Sequence, residues 1–362
     1  MANFDGMKIS LAPLFTALSL AISFLAASSS CVADSQQHDT VGVLLPLSGG
    51  LMDMGNSVKR GIELYQIEHP DAKTRFVYED TRYEGKTTVS AFHSLRDRSK
   101  ASLVIVWGNT PADTVAPVAE QLKTPLLAIT MNPVAKDREF VLTFGSQRNV
   151  VESFAKSVRD LKAARPGAVS VDLGNALEIL KLIENDLGQD ISEEVIATEE
   201  VDFKSTILKL KAKRIDSLIL FLLPQQALTF LKQSKQMNFA PNIVGGDIFA
   251  SDSFRQQAVR ITDKCSFVYG GVKKEFVQKL RESPEGSSYF FEVATGYSIA
   301  SMVEKAMSKQ RDPSYAGSTI LDQLTKVDLS ESPISQLKFA NDPKYGRYFE
   351  SEHWRYGAEL GE

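Results

Sequence analysis

Two short stretches carry groups suited to holding a small charged molecule. Thr110-Pro111-Ala112-Asp113 fits a helix start, with Thr110 as N-cap, Pro111 at the first helical position and Asp113 three residues after the cap. A helix that begins at the end of a strand points free backbone N–H groups outward, and those groups seat a carboxylate. Asp247, after the pair Gly245-Gly246, is an acid that would hold an ammonium group across a cleft from that seat. Each stretch has a plainer reading. Thr110 and Asp113 cap their own helix, which still leaves some donors free, and Asp247 caps a segment that starts near Asp252.

Catalytic signatures are missing. The serine elbow Gly-x-Ser-x-Gly, the phosphate-binding Gly-rich loop, the dinucleotide Gly-x-Gly-x-x-Gly and His-Glu-x-x-His are all absent. His38, His69, His93 and His353 have no metal-ligand spacing. Cys265 has no histidine neighbour in sequence and reads as an inert thiol. No enzyme activity, cofactor or metal is expected.

The elements that position these residues are legible as an alternation. Val41-Gly42-Val43-Leu44-Leu45 is apolar on both faces, as a buried parallel strand is. A helical stripe of Val58, Ile62 and Tyr65 follows, then Phe76 to Tyr78 as strand, Ala91 to Leu95 as helix and Leu103 to Trp107 as strand. Next come a helix from about Ala112 to Leu122 and the strand Leu126 to Ile129. After Val150 the pattern restarts: a helix through Phe154 and Val158, the break Arg165-Pro166-Gly167, and strands at Ala168 to Val171, Val195 to Ala197, Ser217 to Phe221 and Ile243 to Gly245. Such alternation predicts an α/β fold with mostly parallel sheets and helices on both faces. Beyond Tyr269 the prediction is helices over Phe276 to Leu280, Tyr289 to Met307 and Thr319 to Leu324, closed by strands Ile334 to Phe339 and Tyr345 to Phe349.

Open parallel sheets collect ligands at the carboxyl ends of their strands. That rule selects the loops after Leu45, Trp107, Ile129, Val171, Phe221 and Gly245. The expected ligand-binding residues are Ser48, Trp107, Gly108, Asn109, Thr110, Thr130, Met131, Asp172, Gln225 and Asp247. Turn composition alone would also produce many of them, and Trp107 reads either as cleft wall or as core.

Formal net charge is −4, with 41 Lys and Arg scattered against 45 Asp and Glu, which excludes a nucleic-acid surface. At the N-terminus, Met7-Lys8, the apolar run Leu11 to Ala27 and the small residues Ser28 to Ala33 follow the grammar of a secretory signal over residues 1–33, cleaved before Asp34. Cys31 offers the alternative of a lipid anchor. A periplasmic protein is expected. The remaining chain of about 330 residues suits two domains.

The opening Val41-Gly42-Val43-Leu44-Leu45-Pro46-Leu47-Ser48-Gly49, with Gly55 and Gly61, resembles that of type I periplasmic binding proteins, the branched-chain amino-acid-binding (leucine-binding) group in particular. So do Tyr78-Glu79-Asp80-Thr81, Val115 to Glu120 with Pro125, Asp202-Phe203, Gly245-Gly246-Asp247 and Gly296-Tyr297. The resemblance implies two Rossmann-like lobes joined by a multi-strand hinge: 40–146 completed by about 273–326, and 147–272 completed by about 327–362. It implies a monomer that clamps an amino acid or related carboxylate or amide and delivers it to the membrane subunits of an ABC transporter. Asp247 matches the family's amine-binding acid. The family's hydroxyl pair falls on Gly108-Asn109 or Asn109-Thr110, its Gly-Ala-Thr on Ile129-Thr130-Met131 and its Tyr-Gly on Leu173-Gly174. These departures weaken the case for a standard α-amino acid and raise the alternative of a ligand sensor or partner-binding protein that keeps the fold without the transport role.

Overall fold

The structure, a computed structural model, describes residues 39–171, 176–283, 289–310 and 319–357. The expected signal over 1–33, Cys31 and Asp172 lie outside them. The apolar runs become strands whose residues are nearly all buried, because both faces are covered by helices. The first series is β1 (Thr40–Leu45), α1 (Met52–Glu68), β2 (Arg75–Asp80), α2 (Gly85–His93), β3 (Leu103–Trp107), α3 (Asn109–Gln121), β4 (Leu126–Ile129) and β5 (Val141–Phe144). The second is α4 (Gln147–Asp160), β6 (Pro166–Val171), α5 (Ala176–Leu187), β7 (Ser192–Ile196), α6 (Lys204–Ala212), β8 (Ser217–Phe221), α7 (Pro224–Gln236), β9 (Asn242–Gly245), α8 (Asp252–Ile261) and β10 (Cys265–Gly270). The chain closes with α9 (Lys274–Glu282), α10 (Phe290–Gln310), α11 (Ile320–Leu324), β11 (Lys338–Asp342), β12 (Gly346–Glu350) and β13 (His353–Gly357).

Two sheets result, of seven and six strands, ordered β11-β12-β5-β4-β3-β1-β2 and β13-β10-β9-β8-β6-β7. The five parallel strands that begin each series take the same order, second-first-third-fourth-fifth. Each sheet therefore has a switch point, at β1/β3 and at β6/β8, where neighbouring loops diverge and leave a crevice. The chain passes from one sheet to the other after β5, after β10 and after β12.

The C-terminal segment departs from expectation. Residues 327–362 were assigned wholly to the second half, yet β12 pairs in parallel with β5 and carries β11 into the first sheet, leaving only β13 for the second. Strand structure starts at Lys338, while Ile334 makes a single bridge to Val272. β5 and β13 escape a sequence reading for opposite reasons. Val141–Phe144 is too short to show a period, and β13 is a half-exposed edge strand in which Arg355 breaks the apolar pattern.

α10 is held to α1 by a contact that only glycine allows. A Cβ on Gly61 would lie 2.0 Å from the Val293 carbonyl oxygen, and one on Gly296 would lie 2.0 Å from the Val58 carbonyl oxygen. The two helix backbones therefore touch, with Val58 and Ile62 of α1 and Val293, Ile299 and Ala300 of α10 fully buried around them. In an exposed helix, Gly→Ala would stabilise by about 1 kcal/mol. Here the sign reverses, because the helices must separate and the core around them must open. Gly296→Ala and Gly61→Ala are each expected to destabilise by about 1–3 kcal/mol in urea unfolding.

Candidate functional site

The loops at the carboxyl ends of both sheets enclose a cavity of about 430 Å³. The first sheet contributes Trp107 to Thr110, Ile129 to Met131 and Phe144 to Ser146; the second contributes Leu220 to Leu223, Gly246 to Phe249 and Val268 to Gly270. Tyr83 from the loop after β2, Phe154 from α4, Phe291 and Glu292 from the start of α10, Ser351 after β12 and His353 of β13 are also part of the wall. Phe154 and Phe221 meet edge to face, with ring centroids 5.1 Å apart. The lining is predominantly aromatic and aliphatic, and among the described residues it contains no Lys or Arg.

Of the residues expected to bind ligand, Trp107, Gly108, Asn109, Thr110, Thr130, Met131 and Asp247 line this cavity. Ser48 does not. Its hydroxyl donates to Asp80 Oδ2 at 2.5 Å, and the same carboxylate accepts from the Leu47 N–H at 2.9 Å, so the pair shapes the loop after β1. Gln225 is exposed on α7 and lies off the wall, where Phe221, Leu222 and Leu223 stand instead. Trp107 combines both roles anticipated for it, lining the cavity while packing against two core clusters.

The helix start is arranged differently from the expectation. α3 begins at Asn109, with Gly108 as N-cap at φ 103° and no side chain capping it. Asp113 turns away to accept from Asn132 Nδ2 at 2.7 Å, so no capping box forms. The Asn109 carbonyl oxygen Oδ1 is taken by the Thr130 hydroxyl at 2.6 Å. Above all, Tyr83 stands over this helix start, with its ring packed at Gly108 and its phenol near the backbone of Asn109 and Thr110. Burial raises the pKa of that phenol, so it is neutral. Its ring lies where a Cβ on residue 108 would be, 2.4 Å from Tyr83 Cε2, which together with the positive φ restricts that position to glycine. Arg82 and Tyr83 are both left-handed, at φ 51° and 62°. Their N–H groups are held by Asp80 Oδ1 at 2.9 Å and Thr81 Oγ1 at 3.2 Å.

Acid groups line the same cavity. Asp247 opens a short 3-10 turn, and its Oδ1 accepts from the Ile248 N–H at 2.9 Å. It does not cap α8, since Ser251 does so by accepting from the Phe254 N–H at 3.2 Å. The Asp247 carboxylate is open to the cleft yet surrounded by protein, and this partial desolvation raises its pKa. Glu292 is 4% exposed and accepts a short hydrogen bond from the Tyr269 hydroxyl. Burial first, and the charge of Asp247 second, push Glu292 up to about 8. His353 is held down to about 4 by burial and is neutral. Sequence reasoning missed Tyr83, Phe154, Tyr269, Glu292 and His353. Glu292 did leave a signal, as the only charged residue between Tyr289 and Val303.

The fold and the position of the cavity point to a ligand-binding family, and the sequence match decides it. The periplasmic binding protein family matches residues 40–347. The chain belongs to that family. No curated protein sequence matches it. Among solved periplasmic binding proteins, the leucine-binding protein of Thermotoga maritima superposes with a TM-score of 0.73 at 19% identity, covering 85% of this chain and 92% of the other. A solute-binding protein of R. palustris, in complex with benzoate, gives 0.74 at 14% identity, covering 90% and 94%. A fatty acid ABC transporter substrate-binding protein from Thermomonospora curvata gives 0.69 at 16%, covering 89% and 92%. As in the type I members of the family, both halves are α/β units with mainly parallel sheets. No cluster of three potential metal ligands and no helix long and apolar enough to cross a membrane occurs among the described residues.

The two perturbed groups act on stability in opposite directions. Glu292 keeps its proton in the folded state up to about pH 8 while the unfolded chain loses it near 4.5, so its contribution falls as pH rises through that window. His353 is neutral when folded down to about pH 4 but protonates near 6.5 when unfolded, so its contribution is complete above 6.5 and is lost as pH falls towards 4. Chemical denaturation of the ligand-free protein is expected to show stability falling between about pH 6.5 and 8, where only Glu292 of the two acts. Glu292→Gln flattens that limb, and a slope that survives the substitution would assign the effect elsewhere.

Proposed function

We propose that this chain is an exported solute-binding protein that closes on a small molecule with a largely apolar body, delivers it to an ABC transporter, and catalyses nothing. The observation that carries this reading is the lining of the cavity. Aromatic and aliphatic side chains from both sheets face each other across about 430 Å³, a volume suited to a drug-sized ligand. No cationic side chain waits there for an anion among the described residues. The expectation of a small polar amino acid fits this wall poorly. The Tyr83 ring packs over the helix start where an α-carboxylate would sit. The benzoate complex and the fatty-acid transporter component are consistent with apolar ligands on this fold.

Binding on this reading proceeds by closure about the three crossovers. Apolar surface on both walls is removed from water only when the ligand bridges them, at about 25 cal/mol per Å². That difference between closed and open contacts is what drives the closed state.

A thermal-shift panel tests the reading, using protein from Asp34 onward that has been unfolded and refolded to strip carried-over ligand. A ligand at one hundred times its Kd adds about 2.7 kcal/mol, or several degrees at roughly 2–4 °C per kcal/mol. Compounds with hydrocarbon or aromatic bodies are expected to give such shifts, and Phe221→Ala should weaken their binding on the order of tenfold. Responses confined to sugars or short polar amino acids would overturn the reading. Tyr83→Ala, which vacates the helix start, is expected to create affinity for carboxylates that the parent protein lacks.

A further inference from the structure

We propose that the ligand is elongated, with a straight hydrocarbon chain of about ten carbons that lies along the strand ends of the first sheet and is stopped by Leu337 beside the crossovers. The inference rests on the reading of the cavity as a site for an apolar ligand and sets the shape and length of what it takes.

Strand register places four apolar side chains in one line. Trp107 of β3 pairs with Ile129 of β4, Ile129 with Phe144 of β5, and Phe144 with Phe349 of β12. Residues in register on adjacent strands point to the same face of a sheet, and all four line the cavity. Leu337 extends the line by one more strand. It directly precedes β11, whose Lys338 pairs with Glu350 of β12, and it too lines the cavity. The segment that carries it is fastened to the crossovers by backbone bonds. The Lys273 N–H donates to the Pro333 carbonyl at 2.8 Å, the Ser335 N–H to Gly271 at 2.9 Å and the Gly271 N–H to Glu352 at 2.9 Å. Leu337 is therefore a fixed end wall.

The second sheet supplies a matching row. Val171, Phe221, Gly246, Val268 and His353 line the cavity from, or directly after, the adjacent strands β6, β8, β9, β10 and β13. The two rows meet where β12 runs into β13, so both lead from the switch points to the same crossover. Neighbouring strands lie about 4.8 Å apart, so five strand ends span roughly 19 Å. One van der Waals contact of about 3.5–4 Å at each end leaves on the order of 11–12 Å, or about nine to ten bonds of an extended chain at about 1.2 Å each. A single ring or an amino acid seated near Trp107 would leave the stretch from Phe144 to Leu337 without contacts, and each lost contact weakens binding. The first row carries no charged side chain. The acids join the second row, Asp247 directly after Gly246 and Glu292 through its bond to Tyr269 of β10. Beside the crossovers, the Ser146 hydroxyl accepts from the Asn149 N–H at 3.3 Å and the Ser351 carbonyl accepts from Asn149 Nδ2 at 2.8 Å. A hydrocarbon tail laid against these two groups strands neither of them.

A series of straight-chain alcohols from butanol to tetradecanol, titrated calorimetrically into the full mature protein, tests this. Alcohols are the probe because no Lys or Arg lines the cavity among the described residues. Each added methylene is expected to tighten binding about threefold to fourfold until about decanol, where affinity levels off. Adamantanol, with as many carbons as decanol in a compact cage, should bind on the order of tenfold or more weakly. Those measurements need no variant. Leu337→Trp should move the plateau to shorter alcohols and Leu337→Ala to longer ones, whereas a substitution that only loosened the fold would weaken every alcohol and leave the plateau in place. An affinity that stops rising by hexanol, or that climbs steadily through tetradecanol, overturns the proposal. So does adamantanol binding as tightly as decanol, or a plateau that neither variant moves. If the alcohols fail while compact apolar compounds such as indole bind, the elongated chain falls and the apolar reading stands. If no apolar compound binds at all, the reading beneath it falls too.

Discussion

The backbone contact between α1 and α10 is the constraint on which the cavity depends. α1 belongs to the first half of the chain and lies beside β1, while α10 begins at the cavity wall and then runs back along α1. Val293, whose carbonyl oxygen meets Gly61, directly follows Glu292. A helix is rigid over one residue's rise, so fixing Val293 against α1 fixes where the Glu292 carboxyl and the Phe291 ring enter the cavity. The same residue step binds Phe291 to β10 through the Tyr269 hydroxyl. One helix start is thereby registered against both sheets, and the polar end of the cavity inherits its geometry from packing rather than from a loop.

That geometry explains why two acids persist in an apolar space. An ionised carboxylate moved from water into such surroundings costs several kcal/mol unless partners compensate it. Glu292 avoids the cost by holding its proton, and Asp247 avoids part of it by remaining open to the cleft. Neither solution helps folding: a methionine or leucine at 292 would fill a comparable volume without any charge to suppress. A carboxyl that weakens the fold as pH rises, placed on the wall of this cavity, is therefore better explained by what the cavity holds than by what the core needs.

The fold was legible from the sequence because its signal is distributed. The parallel strands β1, β3 and β8 announce themselves as unbroken apolar runs, and the stripe of Val58, Ile62 and Tyr65 gives α1 its buried face. The loops at strand ends followed from topology, which is why Gly108 to Thr110, Thr130, Met131 and Asp247 were found at the cavity. What failed was whatever depends on side-chain direction. Ser48 sits in the right loop but turns to Asp80, and Gln225 sits at the right helix start but faces solvent. Conversely, Tyr83 lies well along the chain from the helix it plugs, and only the left-handed turn at Arg82-Tyr83 brings it there. Edge pairing was equally hidden, since the placement of β11 and β12 in the first sheet is decided by one parallel ladder between Tyr348-Phe349 and Thr143-Phe144.

Tyr83 alters what the helix start can offer without changing the frame around it. The start of α3 still ends a strand and still aims backbone donors at the cleft, as any helix in that position must. Burying those donors unpaired would be costly, so something has to satisfy them. In this chain the phenol ring of Tyr83, from a neighbouring loop, packs over them, and the glycine at 108 makes room for that ring. On the proposed reading a ligand carboxylate then gains little there, and selectivity falls to the aromatic walls and the acids that line the same cavity.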